Sequence, residues 1–169
     1  TRDGKLIAQI GEQRRIPVKR EQVPQVVVDA FLASEDDRFF QHPGVDWQGL
    51  VRALATNVSA RGVREGGGTI TMQLARNTVL TSERTLRRKL KEVFLALRIE
   101  REFTKEEILT QYLNRIFLGQ RAYGIGAAAE VYFNRRVEDL TLPEAALVAG
   151  LPRSPSKDNP AASVDRAKA

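Results

Sequence analysis

The run Glu35-Asp36-Asp37-Arg38-Phe39-Phe40-Gln41-His42-Pro43-Gly44 gathers acid, aromatic and imidazole groups around one turn. Val26, Val27, Ala30 and Phe31 recur ahead of it at helical spacing, which predicts a helix with Glu35 at or just past its C-terminus. The helix macrodipole is negative there and disfavours a further negative charge. Phe39 and Phe40 are expected to add a desolvating wall, and both effects raise a carboxyl pKa toward that of a general base. The plainer alternative is a solvated acidic turn that His42 merely caps.

Two further groups could handle an anion. Gly66-Gly67-Gly68 opens a predicted helix, and glycines there leave backbone N–H groups free to face negative charge at the positive end of the dipole. No Gly-Lys-Ser/Thr follows, so this is not a nucleotide-phosphate loop. Behind the glycines, Thr69, Gln73, Arg76 and Asn77 form a polar stripe that faces either a wet cleft or bulk solvent. Further on, Arg88, Lys89 and Glu92 stand opposite a leucine stripe formed by Leu86, Leu90, Val93 and Leu97. Arg88 and Glu92 are one helical turn apart, in the poorer order for a surface ion pair. A carboxylate beside two cations stays ionised and can hold a metal or orient a substrate, while the cations meet phosphate oxygens. Ion pair and binding site are both open on spacing alone.

The elements that must position these groups are read as mainly helical. The length of 169 residues suits one domain with a real core, and hydrophobic and charged shares of 42% and 28% exclude a disordered tail. With no cysteine and one histidine, disulfides, thiolate metal sites and multi-histidine zinc sites are excluded. No apolar run approaches the length that spans a bilayer. Thr1 is not a natural start, so the chain is expected to be an excised piece. The net charge of +6 suits an anionic lipid or phosphorylated substrate better than nucleic acid, for which no recognition motif is present.

Along the chain, Lys5–Ile10 and Arg15–Val18 are expected to flank a turn at Gly11 as a short hairpin. Pro24 sits near the start of the first long helix, and a second carries Trp47, Leu50, Val51, Leu54 and Val58 on one face. With Arg52, Arg61 and Arg64 nearby, that second helix either packs into the core or lies in a membrane interface. A fourth helix is expected to begin near Ser82. Thr104/Glu107 and Thr141/Glu144 have capping-box spacing, with Pro143 in the first turn of the latter helix and Gly150 at its exit. Ser154-Pro155-Ser156-Lys157 spells S-x-x-K, but a proline-rich loop cannot hold Ser and Lys one helical turn apart, and no partner motif exists.

Taken together, five ordered blocks resemble the peptidoglycan glycosyltransferase domain, glycosyltransferase family 51, of class A penicillin-binding proteins. They are EDDRFFQHPGVD at 35–46, GGGTITMQLARN at 66–77, RKLKE at 88–92, KEEILTQYLNRIFLG at 105–119, and AAAEVYF through LPEAALVAGLPRSPSKDNP at 127–160. The resemblance implies a mainly α, lysozyme-like domain over 21–160, preceded by a linker and β-hairpin at 1–20. Residues 161–169 would begin a linker toward a transpeptidase domain, and a signal anchor would precede the chain.

It also implies polymerisation of lipid II into a nascent glycan strand on the outer, periplasmic face of the bacterial cytoplasmic membrane, with inversion and release of undecaprenyl diphosphate. Glu35 then resembles the catalytic base and Glu92 the second essential acid, which either holds a divalent cation (Mg or Mn) or assists departure of the leaving group. Asp36, Phe39, His42, Gly67, Gly68, Thr69, Gln73, Arg76, Asn77, Arg88 and Lys89 resemble substrate-contacting positions, with the diphosphate falling to Arg76, Arg88 and Lys89. The 45–65 region resembles the family's membrane-associated segment. Gly68 and Met72 depart from the usual serine and glutamine, and Arg76 from a common lysine. The competing reading is a lysozyme-like muramidase or lytic transglycosylase that cuts glycan with one glutamate; a catalytically silent wall-binding module would be expected to lack Glu35 or Glu92.

Overall fold

The computed structural model describes residues 13–59, 68–79, 86–156 and 159–160, and the fold is mainly helical as expected. Helix α1 (Gln25–Glu35) begins at Pro24, whose fixed φ suits a helix start, and buries Val27, Val28 and Phe31. It packs against α7 (Leu142–Gly150), which meets it with the small or branched residues Ala145, Val148 and Ala149. Helix α2 (Trp47–Ser59) follows the acid-aromatic turn. Next, α3 (Ile70–Val79) is packed between α4 (Leu86–Glu102) and α5 (Lys105–Arg115). Helix α6 (Ile125–Phe133) completes the set, with Ala127, Ala128 and Ala129 buried.

Both capping boxes form. Thr104 N donates to Glu107 Oε2 at 2.8 Å while Glu107 N donates back to Thr104 Oγ1 at 3.3 Å. Thr141 N likewise donates to Glu144 Oε2 at 2.8 Å. One core joins α1, α3, α5, α6 and α7 through residues such as Phe31, Ile70, Ile108, Leu113, Ile125 and Val148. Each such side chain is worth about 1.5–3 kcal/mol when fully buried. A smaller cluster of Val45, Met72 and Ala96, flanked by Val93 and Leu97, seals α4 onto α3 and the turn before α2.

Three expectations meet the described residues with different outcomes. The first strand of the expected hairpin lies outside the described residues. Within them, Arg14–Arg15 (β1) pairs in parallel with Ala122–Tyr123 (β2), a partner far along the chain. Asn114 fixes the crossing by accepting from Val18 N and donating to Val18 O, both at 2.8 Å. Second, Trp47, Leu50 and Val51 are exposed at 56%, 39% and 68%, so of the two alternatives left open for α2, core packing is excluded for its start. Third, α4 buries its leucine stripe only in part: Leu90 is 61% exposed and Val93 and Leu97 are half-buried against the small cluster, while Glu92 is 2% and Ala96 0% exposed. The inward line of α4 runs through Glu92 and Ala96, because the carboxylate is compensated by two cations and the alanine lets α3 approach closely. The start of α4 expected near Ser82 also lies outside the described residues.

Close approach makes one glycine indispensable. A Cβ at Gly126 of α6 would lie 2.3 Å from Ile16 O. Gly→Ala inside a helix normally gains up to about 1 kcal/mol. Here overpacking reverses the sign, and Gly126→Ala is expected to cost about 1–3 kcal/mol in urea-denaturation measurements.

Candidate active site

Glu35 is the last residue of α1, and the backbone then leaves the helix at Asp36 with φ −165°. Gln73 Nε2, from α3, donates to Glu35 Oε2 at 2.7 Å. Glu35 Oε1 is shielded and has no hydrogen-bond donor among the described residues. Burial raises the carboxyl pKa; the Gln73 hydrogen bond and the charges of Arg153 and Arg76 pull it down, Asp36 pushes it up, and the net shift is upward. Of the two aromatic rings expected to form a wall, Phe39 is buried in the core, whereas Phe40 is 52% exposed and stands edge-on to Phe39.

Asp36 turns inward. Its Oδ2 accepts from Ile70 N, the first amide of α3, at 3.0 Å, and its Oδ1 receives His42 Nε2 at 2.9 Å. Gly44 N donates to His42 Nδ1 at 3.2 Å, which leaves the ring proton on Nε2, facing Asp36. A negative charge at the N-terminus of α3 also meets the positive end of that helix dipole. Thr69 completes the cap: its Oγ1 accepts from Met72 N at 3.2 Å and donates to Gly44 O at 2.6 Å. Gly44 has φ +93°, and a Cβ there would press on Glu100 Cγ at 2.8 Å, so the turn needs glycine.

Lys105 ties these pieces together from α5. Its Nζ donates to His42 O at 2.7 Å and Glu100 Oε1 at 2.8 Å, and lies 4.3 Å from the centroid of the Phe39 ring. Glu100 Oε1 also accepts from Thr71 Oγ1 at 2.5 Å. At the turn's other end, Arg38 pairs with Asp46 at 2.6 Å, and Asp46 Oδ1 accepts from Gly49 N at 2.9 Å to cap α2. A cavity of about 230 Å³ beside the turn is lined by Arg38, Gln41, His42, Asp46, Trp47 and Gln48, but not by either proposed catalytic acid.

The second acid lies on α4. Glu92 is buried, with Arg88 Nε and Lys89 Nζ each 3.4 Å from its carboxylate. Lys89 is 44% exposed and points toward the loop before α3, where a Cβ on Gly68 would sit 3.8 Å from its Nζ. Gly67 lies outside the described residues. Among the described residues, no cluster of three or more acids and histidines could hold a metal by itself.

The predicted residues therefore fall into separate sets. Glu35 and Gln73 touch, and Arg76 acts on Glu35 through its charge. Glu92, Arg88, Lys89 and Gly68 form a second set. Asp36, Phe39, His42 and Thr69 are buried and engaged with the protein itself. The expected stripe on α3 thus divides: Thr69 is inside, while Arg76 and Asn77 are exposed. Lys105, Tyr112 and Arg153 were not singled out from the sequence. Lys105 directly follows a capping threonine and reads as surface, Tyr112 reads as part of an apolar stripe, and Arg153 carries no spacing signal within its loop.

The family model described as Transglycosylase matches residues 3–169. The chain is 58% identical to penicillin-binding protein 1A of Escherichia coli (strain K12) over 167 residues, covering 99% of this chain and 20% of the relative. It is 51% identical to penicillin-binding protein 1A of Vibrio cholerae, again over 99% of this chain and 20% of that protein. The crystal structure of penicillin-binding protein 1A from Haemophilus influenzae superposes with a TM-score of 0.51 at 34% identity, covering 98% of this chain and 15% of that one. This chain belongs to the transglycosylase family, and the mainly helical fold expected of it holds. It spans about a fifth of the length of the curated relatives it matches.

Asp36 supplies a test of the buried pair. Asp36→Ala leaves Ile70 N and His42 Nε2 unpaired, and should cost about 2–4 kcal/mol in chemical denaturation, because each stranded buried donor carries its own desolvation penalty.

Proposed function

We propose that this chain is a peptidoglycan glycosyltransferase that extends a nascent glycan strand with lipid II. The observation that carries the reading is the shielded carboxylate of Glu35, held by Gln73 with its pKa raised by burial. Such a group takes up a proton more readily than an ordinary carboxylate. In this scheme Glu35 removes the proton of the acceptor's 4-hydroxyl as that oxygen attacks C1 of the donor sugar. The C1–O bond to the diphosphate breaks, its electron pair leaves with undecaprenyl diphosphate, and the anomeric centre inverts.

Lys89, Arg88 and the loop at Gly68 would receive the diphosphate, since preorganised positive charge and backbone donors stabilise charge developing on a leaving group. Arg76, exposed at the end of α3, would add a guanidinium fork. A divalent cation (Mg or Mn) would be held by Glu92 together with diphosphate oxygens and would neutralise charge on the leaving group. Glu92 Oε1 has no hydrogen-bond donor among the described residues, which suits that role.

No helix among the described residues is long and apolar enough to cross a membrane. The exposed Trp47, Leu50 and Val51, beside exposed Arg52, suit contact with a lipid surface on the periplasmic face of the cytoplasmic membrane. That contact would bring a lipid-linked donor to the site. A transpeptidase domain in the same protein would fit a chain that covers a fifth of its relatives. The glycan-cutting alternative is weaker, because a glycan polymer offers no diphosphate to the Arg88–Lys89 pair.

Incubation with lipid II and Mg²⁺, with products separated by size, should give long glycan; shortening of preformed glycan without synthesis would overturn the proposal. Glu35→Gln should lower polymerisation by at least about 100-fold. Because the Glu35 pKa is raised on folding, the folded chain binds more protons in the window above the ordinary glutamate value, and stability falls as pH rises through it. Glu35→Gln should therefore leave the thermal midpoint at pH 7 unchanged or higher. The wild-type kcat/KM should fall, as pH is lowered, at a pH above the ordinary carboxylate range.

A further inference from the structure

Gln73 stands between Glu35 and a third group. While its Nε2 donates to Glu35 Oε2 at 2.7 Å, its Oε1 accepts from the Tyr112 hydroxyl at 3.2 Å. A side-chain amide is asymmetric: turned over, it would aim a carbonyl oxygen at the carboxylate and withdraw its donor. Among the described residues, the Gln73 bond is the one side-chain hydrogen bond Glu35 receives. Whatever fixes the amide's orientation therefore fixes the support of the base.

Tyr112 is built to do this. Its ring is fully buried in α5, 6.2 Å from Phe31 and nearly perpendicular to it, so the phenol has little freedom. Burial, and then the nearby Glu35 charge, push its pKa well above 10, so the hydroxyl remains an O–H donor at any working pH. A fixed donor selects the carbonyl end of Gln73 and leaves the NH2 end for Glu35.

We propose that Tyr112 is a positioning residue: without touching substrate, its hydroxyl sets the orientation of the Gln73 amide and thereby holds Glu35 Oε2. The proposal rests on the assignment of Glu35 as base. The other groups that act on Glu35 are Arg76 on α3, Arg153 after α7, and Asp36 next in the chain, and none of them is altered by removing one phenolic oxygen.

Tyr112→Phe keeps the ring and its packing. Freed of its partner, Gln73 should donate less to Glu35, so that the carboxyl titrates at higher pH and the acid limb of kcat moves up with it, by about half a pH unit or more. At its optimum, kcat should fall about three- to tenfold with KM within about twofold, the scale of one lost neutral hydrogen bond. The Glu35 carboxyl can be followed by NMR in chain labelled with ¹³C at the glutamate carboxyl, its resonance assigned by its loss in Glu35→Gln. Tyr112→Phe combined with Gln73→Ala should be no worse than Gln73→Ala alone. A lower thermal midpoint with the Glu35 titration unmoved, or losses that add in the double variant, would reduce Tyr112 to a packing residue. Because the titration needs no turnover, it decides this point even if Glu35→Gln proves active and the catalytic assignment fails.

Discussion

Asp36 receives the first amide of α3 on one carboxylate oxygen and His42 on the other, and the geometry around Glu35 follows from that double engagement. By binding α3 at its N-terminus, Asp36 fixes where Gln73 lies one turn later, and Gln73 is what Glu35 touches. Holding His42 closes the turn so that Gly44 O can receive Thr69 and His42 O can receive Lys105. Glu35 and Asp36 are adjacent in the chain yet differ in role through environment. One carboxylate is saturated with donors and structural; its neighbour keeps a single side-chain donor and a raised pKa. Two neighbouring acids driven apart in this way are a recognised route to dividing structure from chemistry. The fixed negative charge of Asp36 itself adds to the rise in the Glu35 pKa, so the anchor also tunes the proposed base.

Stability and function pull in opposite directions at two oxygens. Glu35 Oε1 and Glu92 Oε1 are both shielded and without hydrogen-bond donors among the described residues. An interior optimised only for folding would pair such atoms or replace them with apolar groups. The surrounding structure meets the cost with well-satisfied elements close by, including the Thr69 cap, the Asp36–His42 pair and the Lys105–Glu100–Thr71 cluster. In the proposed scheme these two oxygens are where a substrate's hydroxyl, phosphate or bound ion would complete the pairing.

Local signals made much of this legible. Pro24 and the apolar spacing placed α1 and the position of Glu35 at its end, and both capping boxes formed where Thr and Glu stand three apart. The sequence was silent on α6, because Ile125–Phe133 is short and, apart from Glu130, apolar or small-residued, so it shows no stripe. On α4 it left ion pair and binding site open, because periodicity cannot reveal that a buried carboxylate is offset by two cations on its own helix. Long-range pairings such as Arg14–Arg15 with Ala122–Tyr123, or Tyr112 with Gln73, have no local signature at all. The acidic turn showed which residues matter but not how they divide, since Asp36 and His42 differ from Glu35 only in what lies across from them.

Two of the three departures from the family pattern, Met72 and Gly68, now have unequal weight. Met72 is 3% exposed, packed in the small cluster with Val45 and Ala96, and the polar contact to the base comes from Gln73 beside it. A thioether there serves packing, and the site loses no donor. Gly68 is different, because it lies at the mouth of the site against Lys89. A Cβ there would meet Lys89 Nζ at 3.8 Å, an ordinary contact, so sterics do not demand glycine. Nor can Thr69 lend its hydroxyl to an incoming anion, since Gly44 O and Met72 N already engage it. In the proposed scheme, anion binding at this end of α3 would therefore rest on the backbone N–H of Gly68 and the ammonium of Lys89, with charge and main-chain dipole replacing a side-chain hydroxyl.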